Sequence, residues 1–215
     1  MRYIKDKELK SIRHRISTLL VLCLFGLCAL FAYNTPQKKR VIREDQKVYL
    51  EHADELKRDI YGPNPDAQIL KGNVRLKHNG ATLTCDSAYL YQDSNSVRAF
   101  GRVLFRQGDT LSLKGERGFY DGVTQILEVR KNVVLKHRNQ TLYTDSLNYD
   151  RMYKNAYFFD GGKLVDGKDQ LIADWGEYNT QSRQAVFYFG VKLNSGKSNI
   201  ETDTLYYDAP KSQAH

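Results

Sequence analysis

The chain has 215 residues, enough for one sizeable hydrophobic core, and its many tyrosines and phenylalanines favour β-strands. Its formal net charge is +8, but residues 1–33 hold six basic and two acidic residues, so the remainder carries only +4. A small charge of mixed sign argues against a nucleic-acid-binding protein, and no nucleic-acid partner is expected. Two of the three cysteines lie in an apolar run near the N-terminus, which excludes a disulfide framework in the rest of the chain.

Three short segments precede the main domain. Residues 1–15 form a basic tail, and residues 16–33 carry no charge and predict one hydrophobic helix. We favour an uncleaved transmembrane anchor, because a spanning helix needs about 17–20 apolar residues. Cleavage after Ala32 would place Leu30 at the −3 position, where signal peptides have a small residue. A signal segment that is cleaved after export is the alternative. The basic tail predicts a cytoplasmic N-terminus, and residues 34–47 are predicted to form a charged stalk.

Residues 48–210 are organised by a motif in which an aromatic residue follows an acidic one after four positions. The acidic residues stand 29 or 30 positions apart, and a fixed period of this length is typical of stacked repeats. The residues of this corner motif are Asp86, Glu116, Asp145, Tyr149, Asp174, Tyr178, Asp203 and Tyr207.

Within each repeat, apolar residues recur at a spacing of two, which is the period of a β-strand. Asn and Gly residues separate these stretches, as they do in tight reversals. We therefore predict an all-β domain of repeated antiparallel hairpins, with short strands of about 4–6 residues. The apolar positions three before and four after each acidic residue are an odd number apart, so both can face one interior only if the chain bends there. The acidic residues are thus expected at bends, one above another.

The last repeat stops soon after Tyr207 and Asp208 without the final strand of its predecessors. An unfinished repeat predicts an open sheet edge that another strand could join.

No catalytic residue, metal site or cofactor is predicted. The acidic column could bind calcium, but the Gly- and Asp-rich nonapeptide of calcium-binding β-rolls is absent, and equivalent acids single out no catalytic pair. His78 and His137 recur at one repeat position, which predicts an exposed turn rather than a metal site. Cys85 stands alone and is expected to be a small strand residue.

Two stacked sheets of such repeats could enclose a filled core or an open apolar groove for acyl chains, and the pattern fits both. The candidate groove residues are Leu76, Leu83, Phe105, Leu113, Val129, Leu135, Leu142, Phe158, Leu164, Leu171 and Phe187.

The sequence also resembles a known family. Residues 70–76 (LKGNVRL) and 144–150 (TDSLNYD) resemble the G-N-V and A-D-x-x-x-Y pattern of the OstA-like domain. This family includes the periplasmic lipopolysaccharide-transport proteins LptA and LptC and the periplasmic domain of LptD. The resemblance covers residues 48–208 and implies a twisted, V-shaped β-jellyroll, or β-taco, whose interior binds the acyl chains of lipid A. It also implies pairing of strand edges with other jellyroll domains and lipid movement driven by an inner-membrane ABC transporter.

The expected function is therefore non-enzymatic: binding of lipopolysaccharide and its transfer between the inner and outer membranes of a Gram-negative bacterium. The domain would lie in the periplasm, anchored in the inner membrane by residues 16–33 or released there after cleavage. The first alternative is a structural or adhesive β-solenoid with a closed core that assembles by its edges. A weaker alternative is an enzyme that processes a surface polysaccharide.

Overall fold

The structure is a computed structural model, and it describes residues 46–196 and 198–215. These residues form fifteen antiparallel strands within one hydrogen-bonded sheet and contain no α-helix. The all-β, antiparallel prediction is thus confirmed. The predicted tail, the hydrophobic helix and nearly all of the stalk lie outside the described residues. Among the described residues, no helix is long and apolar enough to cross a membrane.

The strands are β1 Tyr49–His52, β2 Glu55–Arg58, β3 Gln68–His78, β4 Ala81–Tyr91, β5 Ser96–Gln107, β6 Leu111–Asp121, β7 Ile126–His137, β8 Gln140–Asp150, β9 Asn155–Phe158, β10 Gly162–Asp166, β11 Asp169–Ala173, β12 Trp175–Asn179, β13 Gln184–Asn194, β14 Asn199–Asp208 and β15 Gln213–Ala214.

Most strands are longer than predicted. Strands β3 to β8, β13 and β14 each have 10 to 12 residues, because backbone pairing continues through the bend and joins two predicted strands into one. Neighbouring long strands shift register once, at a bulge where one strand has an extra residue. Separate short strands occur at β9–β10 and β11–β12, where residues 159–161 and Asp174 interrupt the pairing.

The bulges share one backbone conformation. At four of them two successive residues have positive φ, which glycine and asparagine adopt at the lowest cost. These pairs are Gly72–Asn73, Gly101–Arg102, Lys131–Asn132 and Phe189–Gly190. In the register of the sheet, each pair faces an acidic residue of the corner motif on the next strand; these are Asp86, Glu116, Asp145 and Asp203. The bulges therefore form one line across the sheet.

Phe189 is an unusual bulge residue, with φ of 64° and a side chain that is 64% exposed. A bulky residue in the left-handed region carries a conformational penalty of about 1–2 kcal/mol, which glycine avoids. We expect Phe189→Gly to raise the free energy of unfolding by about 1 kcal/mol, measured by urea denaturation. Phe189→Ala is the matched control, because it removes the ring and keeps the strained backbone. Equal effects of the two substitutions would contradict the role of φ.

The line of bulges divides the sheet into two layers. Layer 1 contains β1, β10, β11 and residues 74–78, 81–85, 103–107, 111–115, 133–137, 140–144, 191–194 and 199–202. Layer 2 contains β2, β9, β12, β15 and residues 68–71, 87–91, 96–100, 117–121, 126–130, 146–150, 184–188 and 204–208. Apolar side chains of both layers join in one core. Phe105 of layer 1 lies 6.3 Å, between ring centroids, from both Tyr120 and Tyr149 of layer 2, so the layers face each other.

The end of the chain differs from the sequence prediction. Strand β15 pairs with Tyr207 and Asp208 of β14, and the amide of His215 donates to the carbonyl of Tyr206 at 2.9 Å. A short final strand is therefore present and covers the layer 2 end of β14. Residues 199–202 of β14, in layer 1, pair only with β13 among the described strands.

Candidate functional site

The apolar interior is organised in rows that run across the strands. In layer 1 one row passes through eleven strand segments in unbroken register: Leu50, Leu76, Leu83, Phe105, Leu113, Leu135, Leu142, Leu164, Leu171, Leu193 and Ile200. Adjacent strands are about 4.8 Å apart, so this row is roughly 48 Å long. Eight of the candidate groove residues lie in it. The row is thus a continuous apolar strip along one layer, formed by equivalent positions of successive repeats.

The opposite layer carries two further rows. The remaining groove candidates, Val129, Phe158 and Phe187, lie in one of them. The other contains the motif tyrosines, which follow an acidic residue of the motif after four positions, and small or aliphatic residues separate them. Tyr120, which follows Glu116 in this way, is the first of these tyrosines. That row is Leu90, Val97, Tyr120, Leu127, Tyr149, Ala156, Tyr178, Ala185 and Tyr207. All eleven groove candidates are at most 5% exposed, so the interior is packed with the protein's own side chains.

Small residues make room for large ones in this interior. A Cβ placed on Gly162 would lie 2.6 Å from the Phe158 ring, and one on Gly176 would lie 2.7 Å from the same ring. Phe187 contacts Phe158 with ring centroids 6.3 Å apart. The phenyl ring of Phe158 therefore fits into space that two glycines leave open.

Each layer has an edge at the strand ends farthest from the bulges, and we call these edges the tips of the layers. Polar side chains connect the tips of layer 1 to the tips of layer 2, and we call this set of side chains the polar seam. Its residues are His78, Gln107, Tyr120, His137, Gln140, Arg151, Asp166, Asp169, Tyr178 and Tyr207.

Arg151 is the main link of the polar seam. It lies in the turn after β8, on the layer 2 side, and is 3% exposed. Its guanidinium donates to Gln107 Oε1 at 3.1 Å, to the carbonyl of Asn79 at 3.0 Å and to the hydroxyl of Tyr120 at 2.5 Å. Gln107 and Asn79 belong to the tips of layer 1. One side chain thus holds both layers together.

His78 meets the same tyrosine from layer 1. Its Nε2 lies 2.9 Å from the carbonyl oxygen of Gln46, so this nitrogen carries the proton and donates. The unprotonated Nδ1 then accepts from the hydroxyl of Tyr120 at 2.7 Å. His78 is 3% exposed and His137 5% exposed. The predicted exposed turn is therefore wrong, because both rings are buried against a tyrosine of the next repeat.

The contact is itself repeated along the stack. A polar residue at the end of a layer 1 strand meets the motif tyrosine of the following repeat in three places: His78 with Tyr120, His137 with Tyr178 at 2.8 Å, and Asp166 with Tyr207 at 3.1 Å. Tyr178 also donates to Gln140, which donates to Asp166. Tyr207 is also 3.3 Å from Asp169. The rings of the motif tyrosines thus pack in the core, and their hydroxyls form hydrogen bonds in the polar seam.

Burial perturbs the acid–base properties of the polar seam. It raises the pKa of Tyr178 to about 12 and also raises the pKa of Tyr120, so both hydroxyls are protonated at neutral pH. Burial lowers the pKa of His78 from its ordinary value of 6.5, and the nearby Arg151 adds to this effect. Burial, Arg138 and Arg183 lower the pKa of His137 in the same direction.

These histidines should make stability depend on pH. A folded-state pKa below 6.5 means that the unfolded chain binds more protons, so stability is full above about pH 6.5 and is lost as pH falls towards the folded-state pKa. We expect the free energy of unfolding to decrease from about pH 7.5 to pH 5. A His78→Gln/His137→Gln variant should be less stable at pH 7.5 but have a flatter pH profile. Parallel profiles for the two proteins would contradict this prediction.

The acidic residues of the corner motif lie at the bulges, on the side away from the polar seam. Asp86 accepts from Arg102 Nε at 2.7 Å, Asp145 accepts from the amide of Asn132 at 3.0 Å, and Glu116 accepts from Asn132 Nδ2 at 2.5 Å. Asp174 and Asp203 are exposed at the same line. Across the described part of the chain, no three His, Cys, Asp or Glu residues are grouped to hold a metal ion.

Cys85 is buried and 5% exposed. Burial raises the pKa of its thiol to about 11, which keeps it protonated and unreactive at neutral pH. The small-residue role predicted for it agrees with this environment.

Sequence patterns alone did not predict the polar seam. Its partners are 26 to 72 positions apart in the chain, and each pair forms only because the repeats stack. One signal was present: a polar residue recurs at the end of the layer 1 strands at 78, 107, 137 and 166, in step with the motif tyrosines.

The fold and its interior define a stacked all-β repeat protein with a long apolar core. A family model described as OstA-like protein matches residues 45–203, which is more than half of the chain. The chain therefore belongs to the OstA-like protein family.

Among solved structures, the chain is similar to LptH of Pseudomonas aeruginosa, described as the LptA-homologous periplasmic component of a lipopolysaccharide transport device. The two are 19% identical with a TM-score of 0.42, and the match covers 54% of this chain and 80% of LptH. No curated protein matches the chain.

Proposed function

We propose that this protein binds the acyl chains of lipopolysaccharide between its two layers and transfers the lipid between the inner and outer membranes. It would act without catalysis, as one element of a periplasmic bridge. Membership of the OstA-like family supports this role. The observation that carries it is the unbroken apolar row from Leu50 to Ile200, which gives a chain of methylenes a similar surface at every strand.

Lipid binding on this surface requires the two layers to separate at their tips. The interior is closed in the structure, and the polar seam lies where an acyl chain would enter. Each methylene that moves from water into an apolar interior contributes about 0.8 kcal/mol. Acyl chains that would otherwise be exposed to water would replace the apolar contacts that the two layers lose, and would offset the parting of a few hydrogen bonds, each worth about 1 kcal/mol net.

The two ends of the sheet are the proposed contacts with other jellyroll domains. β1 and β2 pair only with β3, and residues 199–202 pair only with β13, among the described strands. Unpaired backbone groups at such edges accept another strand. The proposed source of energy is an inner-membrane ABC transporter.

The proposed location is the periplasm, with residues 16–33 anchored in the inner membrane or removed after export. Fractionation separates the two forms, because a carbonate wash releases a cleaved protein and leaves an anchored one in the membrane.

Site-specific photo-crosslinking tests lipid binding. A diazirine amino acid of leucine size is placed at Leu113 or Leu142, or at Phe158, and the full chain is irradiated with purified lipopolysaccharide. Crosslinks from these inward positions are expected. Lys114 is the matched control, because it neighbours Leu113 but lies on the outward side and is exposed. Crosslinks from Lys114 alone would contradict lipid binding in the interior.

The alternative is a structural or adhesive β-solenoid, and the filled interior is the observation that favours it. A closed core of this kind would not take up a hydrophobic fluorophore. Uptake of such a fluorophore by the native protein, and its displacement by lipid A, supports the lipid carrier. No uptake at any fluorophore concentration supports the solenoid.

A further inference from the structure

The outward side of layer 1 has a charge distribution that the overall composition hides. Its side chains form two rows, and both run from β3 to β13. The first is Arg75, Thr84, Leu104, Lys114, Val134, Tyr143, Lys163, Ile172 and Lys192; the second is Lys77, Thr82, Arg106, Ser112, Lys136, Thr141, Val165, Gln170 and Asn194. Seven of these residues are basic and none is acidic. We call this surface the basic face.

Acidic residues neutralise the basic face only at its two margins. Glu51 on β1 pairs with Lys77 and lies 3.9 Å from Arg75, and Glu201 on β14 lies 3.4 Å from Lys192. In the centre, Arg106, Lys114, Lys136 and Lys163 form no ion pair with any other described residue. Among the described residues, the centre therefore carries four basic side chains without an ion-pair partner.

The rest of the basic face is hydroxylic or apolar. Thr82, Thr84, Ser112 and Thr141 lie between the charges and can donate hydrogen bonds to phosphate oxygens. Tyr143 is 46% exposed and Ile172 is 47% exposed, and each is next to Lys163 on a neighbouring strand. Exposed aromatic and aliphatic groups beside lysines are the combination that enters the headgroup region of a bilayer.

The tip end of the basic face is concave. A depression of about 510 Å³ is lined by Arg106, Asp109, Thr110, Ser112, Lys136 and Arg138. Three cations and two hydroxyls against one carboxylate favour an anionic group in this depression.

We propose that the basic face docks the domain on a bilayer that contains anionic phospholipids. The four basic side chains of the centre are spread from β5 to β10, roughly 20 Å, and are interleaved with hydroxylic and apolar side chains, which suits an extended lipid surface better than a single anionic group. The face lies on the other side of layer 1 from the apolar interior. Docking would therefore leave the interior and the polar seam unobstructed.

Vesicle binding by the full chain tests this docking. The protein is first assembled in phosphatidylcholine nanodiscs, so that the apolar segment 16–33 is already embedded in lipid and does not insert into the vesicles. Its binding is then measured to vesicles of phosphatidylcholine alone and of phosphatidylcholine with phosphatidylglycerol. We expect binding only to the mixed vesicles and its loss in high salt.

Two matched double variants assign the binding to the basic face. Each lysine near an anionic surface contributes about a fivefold gain in binding, so Lys114→Gln/Lys163→Gln should weaken it roughly 25-fold. Arg98→Gln/Arg117→Gln removes the same charge from the outward side of layer 2 and should leave binding unchanged. Circular dichroism checks that both variants are folded.

Three results would overturn the proposal. They are equal binding to uncharged vesicles, equal weakening by the two double variants, and binding to duplex DNA that exceeds binding to the mixed vesicles.

Discussion

Arg151→Met is expected to lower the free energy of unfolding by about 3 kcal/mol. The substitution keeps the length of the side chain but removes all three hydrogen bonds to Asn79, Gln107 and Tyr120. Bonds from a charged donor contribute about 1.5–3 kcal/mol each, and buried acceptors that lose their donor add a desolvation penalty. Most of this loss is regained, because the substitution also removes the cost of burying the Arg151 charge. Methionine also packs well against the rings of Phe105 and Tyr120, which lie 5.5 and 5.8 Å from the guanidinium carbon.

Urea denaturation followed by the fluorescence of Trp175, the single tryptophan, measures this effect. Arg98→Met is the matched control, because Arg98 is exposed on the outer side of layer 2 and only lies over the ring of Tyr91. Its expected effect is below about 0.5 kcal/mol. If Arg151→Met and Arg98→Met have equal effects, Arg151 does not hold the layers together.

Phe158→Ala is expected to lower the free energy of unfolding by about 4 kcal/mol, because it empties a site that is 2% exposed. Gly176→Ala should cost about 2 kcal/mol, since its new Cβ would meet the Phe158 ring at 2.7 Å. Combining Gly176→Ala with Phe158→Leu should relieve that overlap, because leucine lacks the ring atoms that approach the glycine. The double variant is expected to be more stable than the sum of the single effects by over about 1 kcal/mol.

A distant pair serves as the control for this double-mutant cycle. Leu76→Val lies in layer 1 near the other end of the sheet, so its effect should add to that of Gly176→Ala within about 0.5 kcal/mol. All single and double variants are compared by urea denaturation. Additivity of the Phe158 and Gly176 substitutions would show that the ring does not occupy the space beside the glycine.

Much of the fold could be predicted from the sequence, because local signals repeat in it. The spacing of two predicted strands, and the period of 29 or 30 residues predicted their stacking. The eleven candidate groove residues were chosen from these spacings, and the structure places all of them in the core. The odd spacing between apolar positions called for a bend, and the structure has a bulge opposite the acidic residues at four places. The length of the strands was not predicted, because backbone pairing through a bulge depends on the neighbouring strand.

The candidate site was less predictable, since its contacts join distant residues. His78 is buried because Tyr120, Arg151 and the carbonyl of Gln46 surround it, and none of them is near it in sequence. The basic face was hidden by a net charge of only +4 beyond residue 33. This part of the sequence contains basic and acidic residues in similar numbers, but the fold separates them. Alternate residues of layer 1 point outward and include seven basic residues, whereas the acidic residues lie elsewhere. Such separation depends on register, which composition does not contain.

The aligned bulges have a mechanical consequence for this molecule. Every ladder of hydrogen bonds connects strands within a layer, and the bulges lie where the layers meet. A hinge rotation of the two layers about that line would separate their tips, while the backbone hydrogen bonds within each layer stay paired. The resistance to such a rotation is concentrated in the core contacts and in a few side chains, with Arg151, His78 and His137 foremost. The opening that the proposed lipid binding requires would therefore be resisted by the core contacts and by residues at the free margin, and not by the backbone of the sheet.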